Sequence, residues 1–211
     1  MASFFTPTSQ KAPDKLTYRI IDRSLIIAKY EASTQENIKP VPPGTPRKIA
    51  AFDLDDTVIS PAGAKWARNA ASWRWWDPCV PGKLGQLHRD GFLVVILSNQ
   101  AVISLKEKDT LSLRNFKQCL ASLLPQLDIP ISVYAATGQD KYRKPRIGMW
   151  QELLEDYDLE KPGAVDLEGS VFVGDASGRP KTDTKLKDHS SSDRSVYLLD
   201  YWTKTDLSTV I

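Results

Sequence analysis

Two aspartates, two positions apart, follow an apolar segment, and carboxylates at this spacing could transfer a phosphoryl group. Ile49-Ala-Ala-Phe52 predicts a short buried strand, and Asp53-Leu-Asp55-Asp-Thr57 comes directly after it. The Asp53 carboxylate could attack phosphorus to give an aspartyl-phosphate, while Asp55 protonates the leaving oxygen and later activates water. A carboxylate and a backbone carbonyl at this spacing could also hold Mg²⁺. The alternative interpretation is an acidic turn after a strand.

Polar groups follow two more predicted strands. Phe92–Leu97 is a continuous apolar run that ends in Ser98, whose hydroxyl could donate to a phosphoryl oxygen or simply begin a turn. Ser170–Val173 predicts the last inner strand and leads into Gly174-Asp175, a further oxygen ligand for the same cation. Because ligands bind at the carboxyl ends of strands in open α/β sheets, we expect these groups to lie near Asp53.

The densest positive charge in the chain is the string Lys141-Tyr-Arg-Lys-Pro-Arg146, which follows a predicted strand over Ile131–Ala136. Pro145 predicts the opening of a helix over Arg146–Tyr157, which would place Lys144 near its start. A lysine there could neutralise a phosphate and screen its repulsion from the aspartates. A basic run can equally be a solvated face.

Several elements are needed to position these groups. They are an N-terminal hairpin over Tyr18–Tyr30 that turns near Asp22-Arg23-Ser24, a helix over Pro81–Asp90, a crossover helix over Glu107–Leu124 stopped by Pro125, and an outer strand over Val196–Leu199. Alternating strands and helices of this kind indicate an α/β fold.

Composition limits the classes of protein. With 211 residues, 41% hydrophobic and 26% charged, the chain can bury the core of one α/β domain. The net charge of +2 means that affinity for nucleic acid must come from a local basic patch. Two scattered cysteines fit a reduced, intracellular setting without a disulfide framework. No apolar run approaches a membrane span, so we expect a soluble protein without an export signal.

Basic and aromatic residues are interleaved in one segment, residues 60–76, and a second basic segment covers residues 176–192. Such mixtures can hold a backbone phosphate while stacking a base, although each tryptophan could instead pack under a loop. The residues concerned are Lys65, Trp66, Arg68, Trp73, Arg74, Trp75 and Trp76 in the first segment, and Arg179, Lys181, Lys185 and Lys187 in the second.

The order of the motifs resembles that of the haloacid dehalogenase-like phosphohydrolases. Longer strings are similar to the phosphatase domain of eukaryotic polynucleotide kinase 3′-phosphatase, and the resemblance extends from Ser3 to Asp193. The strings are Leu97-Ser-Asn-Gln100, Arg143-Lys-Pro145 with Gly148-Met-Trp150, Val171-Phe-Val-Gly-Asp-Ala-Ser-Gly-Arg-Pro180, and Lys187-Asp-His-Ser190 followed by Asp193.

This resemblance implies a three-layer Rossmann-like haloacid dehalogenase fold, with a central, mainly parallel sheet, a minimal cap and an added N-terminal β-hairpin. Residues 1–46 would form an arm, hairpin and linker that pack on a phosphatase core of residues 47–211, within one structural domain. The resemblance also implies site roles: Asp53 as nucleophile and Asp55 as general acid and base; Ser98, Asn99, Arg143 and Lys144 as phosphate-binding; Asp53, Asp55, Asp175 and Asp193 for Mg²⁺; and Arg68, Trp73, Arg74, Arg179 and Lys181 for DNA.

The substrate implied is a DNA end bearing a 3′-phosphate, which is converted to a 3′-hydroxyl during DNA repair. A monomeric protein that acts on DNA ends in the nucleus is expected. The sequence contains no Gly-x-x-x-x-Gly-Lys-(Ser/Thr) loop and hence no kinase site of its own. It is either a stand-alone phosphatase or, as its end soon after a strand favours, a fragment of an enzyme with a C-terminal kinase domain.

Two rival functions remain open. A phosphatase of the same superfamily could act on a small molecule, but only about thirty residues separate Thr57 from the next strand, too few for a folded lid of domain size. A catalytically inactive nucleic-acid-binding module is the other, and the presence of Asp53, Asp55, Lys144 and Asp175 argues against it.

Overall fold

The computed structural model describes residues 15–33, 39, 41–62, 73–105 and 110–175. Six of the described strands form one mixed sheet in the order β1-β2-β7-β6-β3-β8, and the other two form a hairpin, β4-β5. The elements are β1 (Leu16–Ile21), β2 (Leu25–Tyr30), β3 (Ile49–Phe52), β4 (Ile59–Pro61), β5 (Trp73–Trp75), α1 (Val80–Arg89), β6 (Leu93–Asn99), α2 (Leu111–Leu127), β7 (Ile131–Ala136), α3 (Gly148–Asp156) and β8 (Val171–Val173).

The parallel strands lie at the centre of this sheet. β3 pairs in parallel with β6 on one side and with β8 on the other, and β6 pairs in parallel with β7. β2 runs antiparallel to β7, and β1 antiparallel to β2. The carboxyl ends of β3, β6, β7 and β8 therefore share one edge of the sheet, which we call the carboxyl edge.

Helices cover both faces of the parallel strands, which explains why these strands are apolar throughout rather than alternating. On one face, Val94 and Ile96 of β6 belong to a core that includes Leu120 of α2. On the other, Val95 and Leu97 belong to a core that includes residues of α3. The predicted three-layer α/β architecture is confirmed. No helix within the described residues is long and apolar enough to cross a membrane.

The N-terminal hairpin is confirmed and extends the sheet beyond β7. Asp22 and Arg23 both have positive φ, at 50° and 52°, and the Ser24 N–H donates to the Ile21 carbonyl at 3.0 Å. Two consecutive left-handed residues match the twist of a tight hairpin, and aspartate tolerates that conformation. The turn comes to lie at the carboxyl edge, because the Thr137 N–H, just after β7, donates to the Ser24 carbonyl at 2.7 Å.

Two predicted helix boundaries are wrong. Pro125 does not stop α2, which continues to Leu127 and ends where Asp128 turns left-handed at φ 43°. A proline removes one backbone hydrogen bond from a helix and crowds the preceding turn, but Leu123 and Leu124 keep this turn packed in the core. The helix predicted from Arg146 begins instead at Gly148, because the Arg146 N–H donates to the Arg143 carbonyl in a separate turn. The strand predicted over Val196–Leu199 lies outside the described residues.

Candidate active site

Asp53 and Lys144 form a buried ion pair at the carboxyl edge. Asp53 directly follows β3, and its N–H donates to the Val173 carbonyl of β8 at 2.8 Å. Asp53 Oδ1 accepts a hydrogen bond from the Leu54 N–H at 2.7 Å and lies 3.1 Å from Lys144 Nζ. The two residues are 9% and 3% exposed. Because a buried carboxylate needs a partner, the lysine ammonium serves as the counter-charge of Asp53.

The backbone of Lys144 is held from β6 rather than by its own neighbours. Asn99 Oδ1 accepts from the Lys144 N–H at 2.9 Å, and Asn99 Nδ2 donates to the Lys144 carbonyl at 3.2 Å. The start of α3 closes the loop, since the Gly148 N–H donates to the Lys141 carbonyl at 3.1 Å. A Cβ at position 148 would lie 2.5 Å from that carbonyl oxygen, so only glycine fits. Asn99 thus positions Lys144, and its contact with phosphate stays a prediction.

The hairpin turn supports the same loop through Tyr142, a buried residue that the sequence interpretation did not single out. Its hydroxyl donates to Asp22 Oδ2 at 2.7 Å and lies 3.3 Å from Glu152 Oε1, so it contacts both the hairpin turn and α3. Lys141 Nζ lies 3.1 Å from the same Asp22 oxygen. The hydrogen bond from Tyr142, followed by that from Lys141, lowers the pKa of Asp22. Burial, assisted by the hydrogen bond to Asp22, raises the pKa of Tyr142 to about 12.

Asp55 and Ser98 meet through Gln100, which also went unrecognised as a site residue. Gln100 Nε2 donates to Asp55 Oδ2 at 2.7 Å and to Ser98 Oγ at 2.9 Å. The sequence did indicate that Gln100 lies near Ser98, because side chains two positions apart at the end of a strand point to the same face of the sheet. Ser98 and Gln100 therefore share one face, whereas Asn99 points to the other, where Lys144 lies.

A tight loop after β3 fixes the backbone around Asp55. The N–H groups of Val58 and Ile59 both donate to the Leu54 carbonyl, at 3.0 and 2.9 Å, and Asp56 has a left-handed φ of 54°. Thr57 is buried, and its Oγ1 has no hydrogen-bond partner among the described residues. The acidic motif is thus a rigid structure and not merely a solvated turn.

The oxygen donors at the carboxyl edge fit a hard cation such as Mg²⁺. The hydrogen bond from Asp53 to Val173 brings the end of β3 beside Gly174-Asp175. No three His, Cys, Asp or Glu side chains in the described parts of the chain cluster as a metal site by themselves. The predicted Mg²⁺ ligands differ from such a cluster, because they are the carboxylates of Asp53 and Asp175 together with the backbone carbonyl of Asp55. Water molecules commonly complete the octahedral coordination of Mg²⁺. Asp193 lies outside the described residues.

Arg143 precedes the buried lysine and is partly buried. Its Nη1 is buried without a hydrogen-bond partner among the residues that the structure describes. A guanidinium nitrogen in that condition is suited to an anionic ligand, since buried donors normally have acceptors. This observation supports the predicted phosphate-binding role of Arg143, which stays a prediction.

The predicted DNA-contacting residues differ in their surroundings. Trp73 Nε1 donates to Ser122 Oγ at 2.8 Å, and its ring packs against the core and edge-on to Trp75. These contacts favour the packing interpretation of Trp73. Arg74, between the two tryptophans, is exposed. Contact of either residue with DNA stays a prediction, and Arg68, Arg179 and Lys181 lie outside the described residues.

Comparison with known structures supports the class of fold. A haloacid dehalogenase-like phosphatase structure from Mesorhizobium loti superposes with a TM-score of 0.53 over 85% of this chain and 79% of that chain, at 20% sequence identity. Together with the parallel sheet and the Asp-x-Asp motif at its carboxyl edge, this likeness identifies a haloacid dehalogenase-like fold.

The family is shown by the sequence itself. Residues 48–198 match the family Polynucleotide kinase 3 phosphatase, and the chain belongs to that family. It is 37% identical over 174 residues to a bifunctional polynucleotide phosphatase/kinase of Schizosaccharomyces pombe, covering 82% of this chain and 37% of the yeast protein. It is 33% identical over 157 residues to a polynucleotide 3′-phosphatase of Arabidopsis thaliana, covering 69% of this chain and 21% of the plant protein.

Relatives of this chain differ in length. The chain spans well under half of the yeast and plant proteins. A 20.8 kDa protein of the Autographa californica nuclear polyhedrosis virus, which has no assigned function, is 38% identical over 152 residues, covering 70% of this chain and 76% of the viral protein. The predicted family is therefore confirmed, and the homologous region occurs both in long and in short proteins.

Proposed function

We propose that this protein is a Mg²⁺-dependent DNA 3′-phosphatase that converts 3′-phosphate ends at strand breaks to 3′-hydroxyl ends. The observation that carries the proposal is the 3.1 Å contact between Asp53 Oδ1 and Lys144 Nζ at the carboxyl edge. It joins a nucleophile and a phosphate-binding cation, 91 positions apart by their residue numbers, in one buried site. The family and the names of the yeast and plant relatives support a polynucleotide as substrate.

In the first step, a carboxylate oxygen of Asp53 attacks phosphorus, and the bond between phosphorus and the DNA 3′-oxygen breaks. Asp55 gives its proton to that departing oxygen, which leaves as a 3′-hydroxyl. In the second step, Asp55 takes a proton from water as the water attacks the aspartyl-phosphate, which releases inorganic phosphate and restores Asp53. Asp55 gives a proton in the first step and takes one back in the second, so one residue serves both steps.

Charge on the phosphoryl oxygens is met by groups that are already in place. The Lys144 ammonium and the Ser98 hydroxyl lie at the carboxyl edge, and the buried Arg143 Nη1 adds a third donor. Preorganised donors of this kind stabilise the transition state because they need not reorient during the reaction. A bound Mg²⁺, held by Asp53, the Asp55 carbonyl and Asp175, would neutralise further negative charge between carboxylate and phosphate.

Access to the site also suits the end of a polymer. Between β3 and α1 the structure describes a two-stranded hairpin, β4-β5, in place of a folded lid domain. The whole connection, residues 53–79, is far shorter than the roughly 50 residues of the smallest domains. A connection of this length leaves no lid domain between β3 and α1 that would have to open before a longer substrate, such as a DNA strand, reaches the site.

The test is phosphate release from an oligonucleotide with a 3′-phosphate, from the same strand with a 5′-phosphate, and from p-nitrophenyl phosphate. Each substrate is assayed with Mg²⁺ and with EDTA. We expect Mg²⁺-dependent release largely confined to the 3′ end. Release from the small ester alone would indicate that the natural substrate is a small metabolite. Release from none of the three would contradict the proposed activity.

Location in the nucleus and a monomeric state are further parts of the proposal. A DNA-end substrate supports location in the nucleus, and a fluorescent fusion protein confined to the cytoplasm would contradict that location. Light scattering during size-exclusion chromatography tests the second, with the mass of a single 23.6 kDa chain as the expected result.

A further inference from the structure

Gln100 occupies a buried position between two groups of the proposed mechanism. It is 2% exposed, and its Nε2 donates to Asp55 Oδ2 at 2.7 Å and to Ser98 Oγ at 2.9 Å. Its backbone is equally fixed, since its N–H donates to the Ala136 carbonyl at 2.7 Å and its carbonyl accepts from the Ile103 N–H at 3.0 Å. One amide group therefore links Asp55 and Ser98 from a rigid position at the ends of β6 and β7.

The orientation of this amide follows from its neighbours. The amide nitrogen lies against Asp55 Oδ2, an arrangement that suits both an ionised Asp55 and a protonated Asp55 whose hydrogen is on Oδ1. The same nitrogen has a second hydrogen, which points to Ser98. An amide rotated by 180° would place its oxygen 2.7 Å from Asp55 Oδ2, which is unfavourable whenever Oδ2 carries no hydrogen.

We propose that Gln100 is a positioning residue that sets the proton-carrying oxygen of Asp55 and the donor direction of Ser98. The inference rests on the proposed phosphatase function. Because the amide holds Asp55 Oδ2 as an acceptor, the proposal assigns the transferred proton to Oδ1. Because Ser98 Oγ accepts from Gln100, its own hydrogen is directed away from the amide and toward the phosphoryl oxygen.

A general structural role for Gln100 predicts a different outcome from this one. If the amide only filled a buried space, its loss would weaken folding and reduce turnover of every substrate alike. If it orients the proton of Asp55, its loss should matter most when the leaving oxygen needs that proton. The 3′-oxygen of DNA is a poor leaving group without protonation, whereas p-nitrophenolate leaves as a stable anion.

The experiment compares Gln100→Met, which keeps the length and removes the amide, with Gln100→Glu, which places an acceptor against Asp55. The quantity measured is kcat/KM, which reports the step that forms the aspartyl-phosphate, for the 3′-phosphorylated oligonucleotide and for p-nitrophenyl phosphate. For Gln100→Met we expect a loss of about 10- to 100-fold on the oligonucleotide, typical of removing a hydrogen bond that orients a catalytic group. The loss on the small ester should be several times smaller, and Gln100→Glu should lose more than Gln100→Met.

Gln86→Met and Gln86→Glu are the matched controls, because Gln86 is exposed on α1, which leads into the opposite end of β6. Thermal unfolding of all variants verifies folding. Equal losses on the two substrates, or wild-type values for Gln100→Met, would overturn the positioning role. If Gln100→Met fails to fold, the losses of kcat/KM that Gln100→Glu shows on the two substrates are compared in the same way. Wild-type protein inactive on both substrates would overturn the proposed function itself, which is a distinguishable result.

Discussion

The carboxyl edge and the β4-β5 hairpin differ sharply in exposure. Asp53, Ser98, Gln100 and Lys144 are all buried and hydrogen-bonded or ion-paired, with none above 9% exposed. The hairpin carries an exposed Arg74, and Trp76 beyond it is 43% exposed. The groups proposed for the chemistry are therefore held in place by the sheet, whereas the side chains of Arg74 and Trp76 reach solvent.

The largest effect should come from Asp53, the proposed nucleophile at the carboxyl edge. Asp53→Asn keeps the shape of the side chain but removes the negative charge that attacks phosphorus, so turnover should fall by more than about 1,000-fold on every substrate. Phosphate release measures this, and Asp90→Asn is the matched control because Asp90 is exposed and pairs with Lys39 at the surface. An active Asp53→Asn variant would contradict the covalent mechanism.

The next effect concerns the partner of that nucleophile. Lys144→Met removes the cation 3.1 Å from Asp53 and leaves a largely buried carboxylate without it. We expect turnover to fall by about 100-fold or more, and the free energy of unfolding to fall by about 3 kcal/mol. Chemical denaturation and phosphate release give the two quantities.

Lys161→Met, in an exposed turn after α3, provides the control for the loss of a lysine. An unchanged stability together with lost turnover would mean that the Asp53–Lys144 pair contributes to catalysis alone. Full activity in Lys144→Met would show that the buried edge does not bind phosphate through this residue.

A smaller effect is expected where the hairpin turn supports the lysine loop. Tyr142→Phe keeps the buried ring and removes the hydroxyl that donates to Asp22 and lies near Glu152. We expect the free energy of unfolding to fall by about 1 kcal/mol and turnover to fall several-fold, because Lys144 lies two residues away. Tyr157→Phe is a comparison within the same core, since the Tyr157 hydroxyl meets Ser132 and not the lysine loop.

The same contact gives a dependence of stability on pH. The pKa of Asp22 is lowered by the Tyr142 hydrogen bond, so its contribution to stability is complete above the unfolded pKa of about 3.9 and is lost as pH falls through the lower folded pKa. Thermal unfolding between about pH 5 and pH 3 should show a shallower acid loss in Tyr142→Phe than in wild type. Identical acid profiles would contradict the coupling.

The smallest effect on chemistry should come from the exposed hairpin. Arg74→Gln should leave hydrolysis of p-nitrophenyl phosphate unchanged while weakening binding of a single-stranded oligonucleotide. If Arg74 contacts one phosphate, the slope of log affinity against log salt concentration should decrease by about 0.7. Arg89→Gln is the control, because Arg89 lies at the end of α1, away from the carboxyl edge. An unchanged salt slope for Arg74→Gln would contradict a contact between Arg74 and a DNA phosphate.

Much of the fold followed from local sequence patterns. The strand Ile49–Phe52 was predicted with its observed boundaries, and the turn at Asp22-Arg23 closes the hairpin where it was expected. Apolar runs and turn residues act over a few positions, so a sequence displays them directly. Pro125 was misjudged because the penalty for proline is local, whereas the packing that outweighs it comes from the core.

Local sequence was enough to single out the candidate catalytic residues and to place each at or after the carboxyl end of a predicted strand: Asp53 and Asp55, Ser98, Lys144 and Asp175. How these residues are joined is visible in the folded protein alone. Asp55 meets Gln100, and Lys144 meets Asn99, each across 45 positions of sequence. Those pairings depend on β6 lying between β3 and β7 and on which face of β6 each side chain takes. Strand order is set by long-range packing, and no local spacing encodes it.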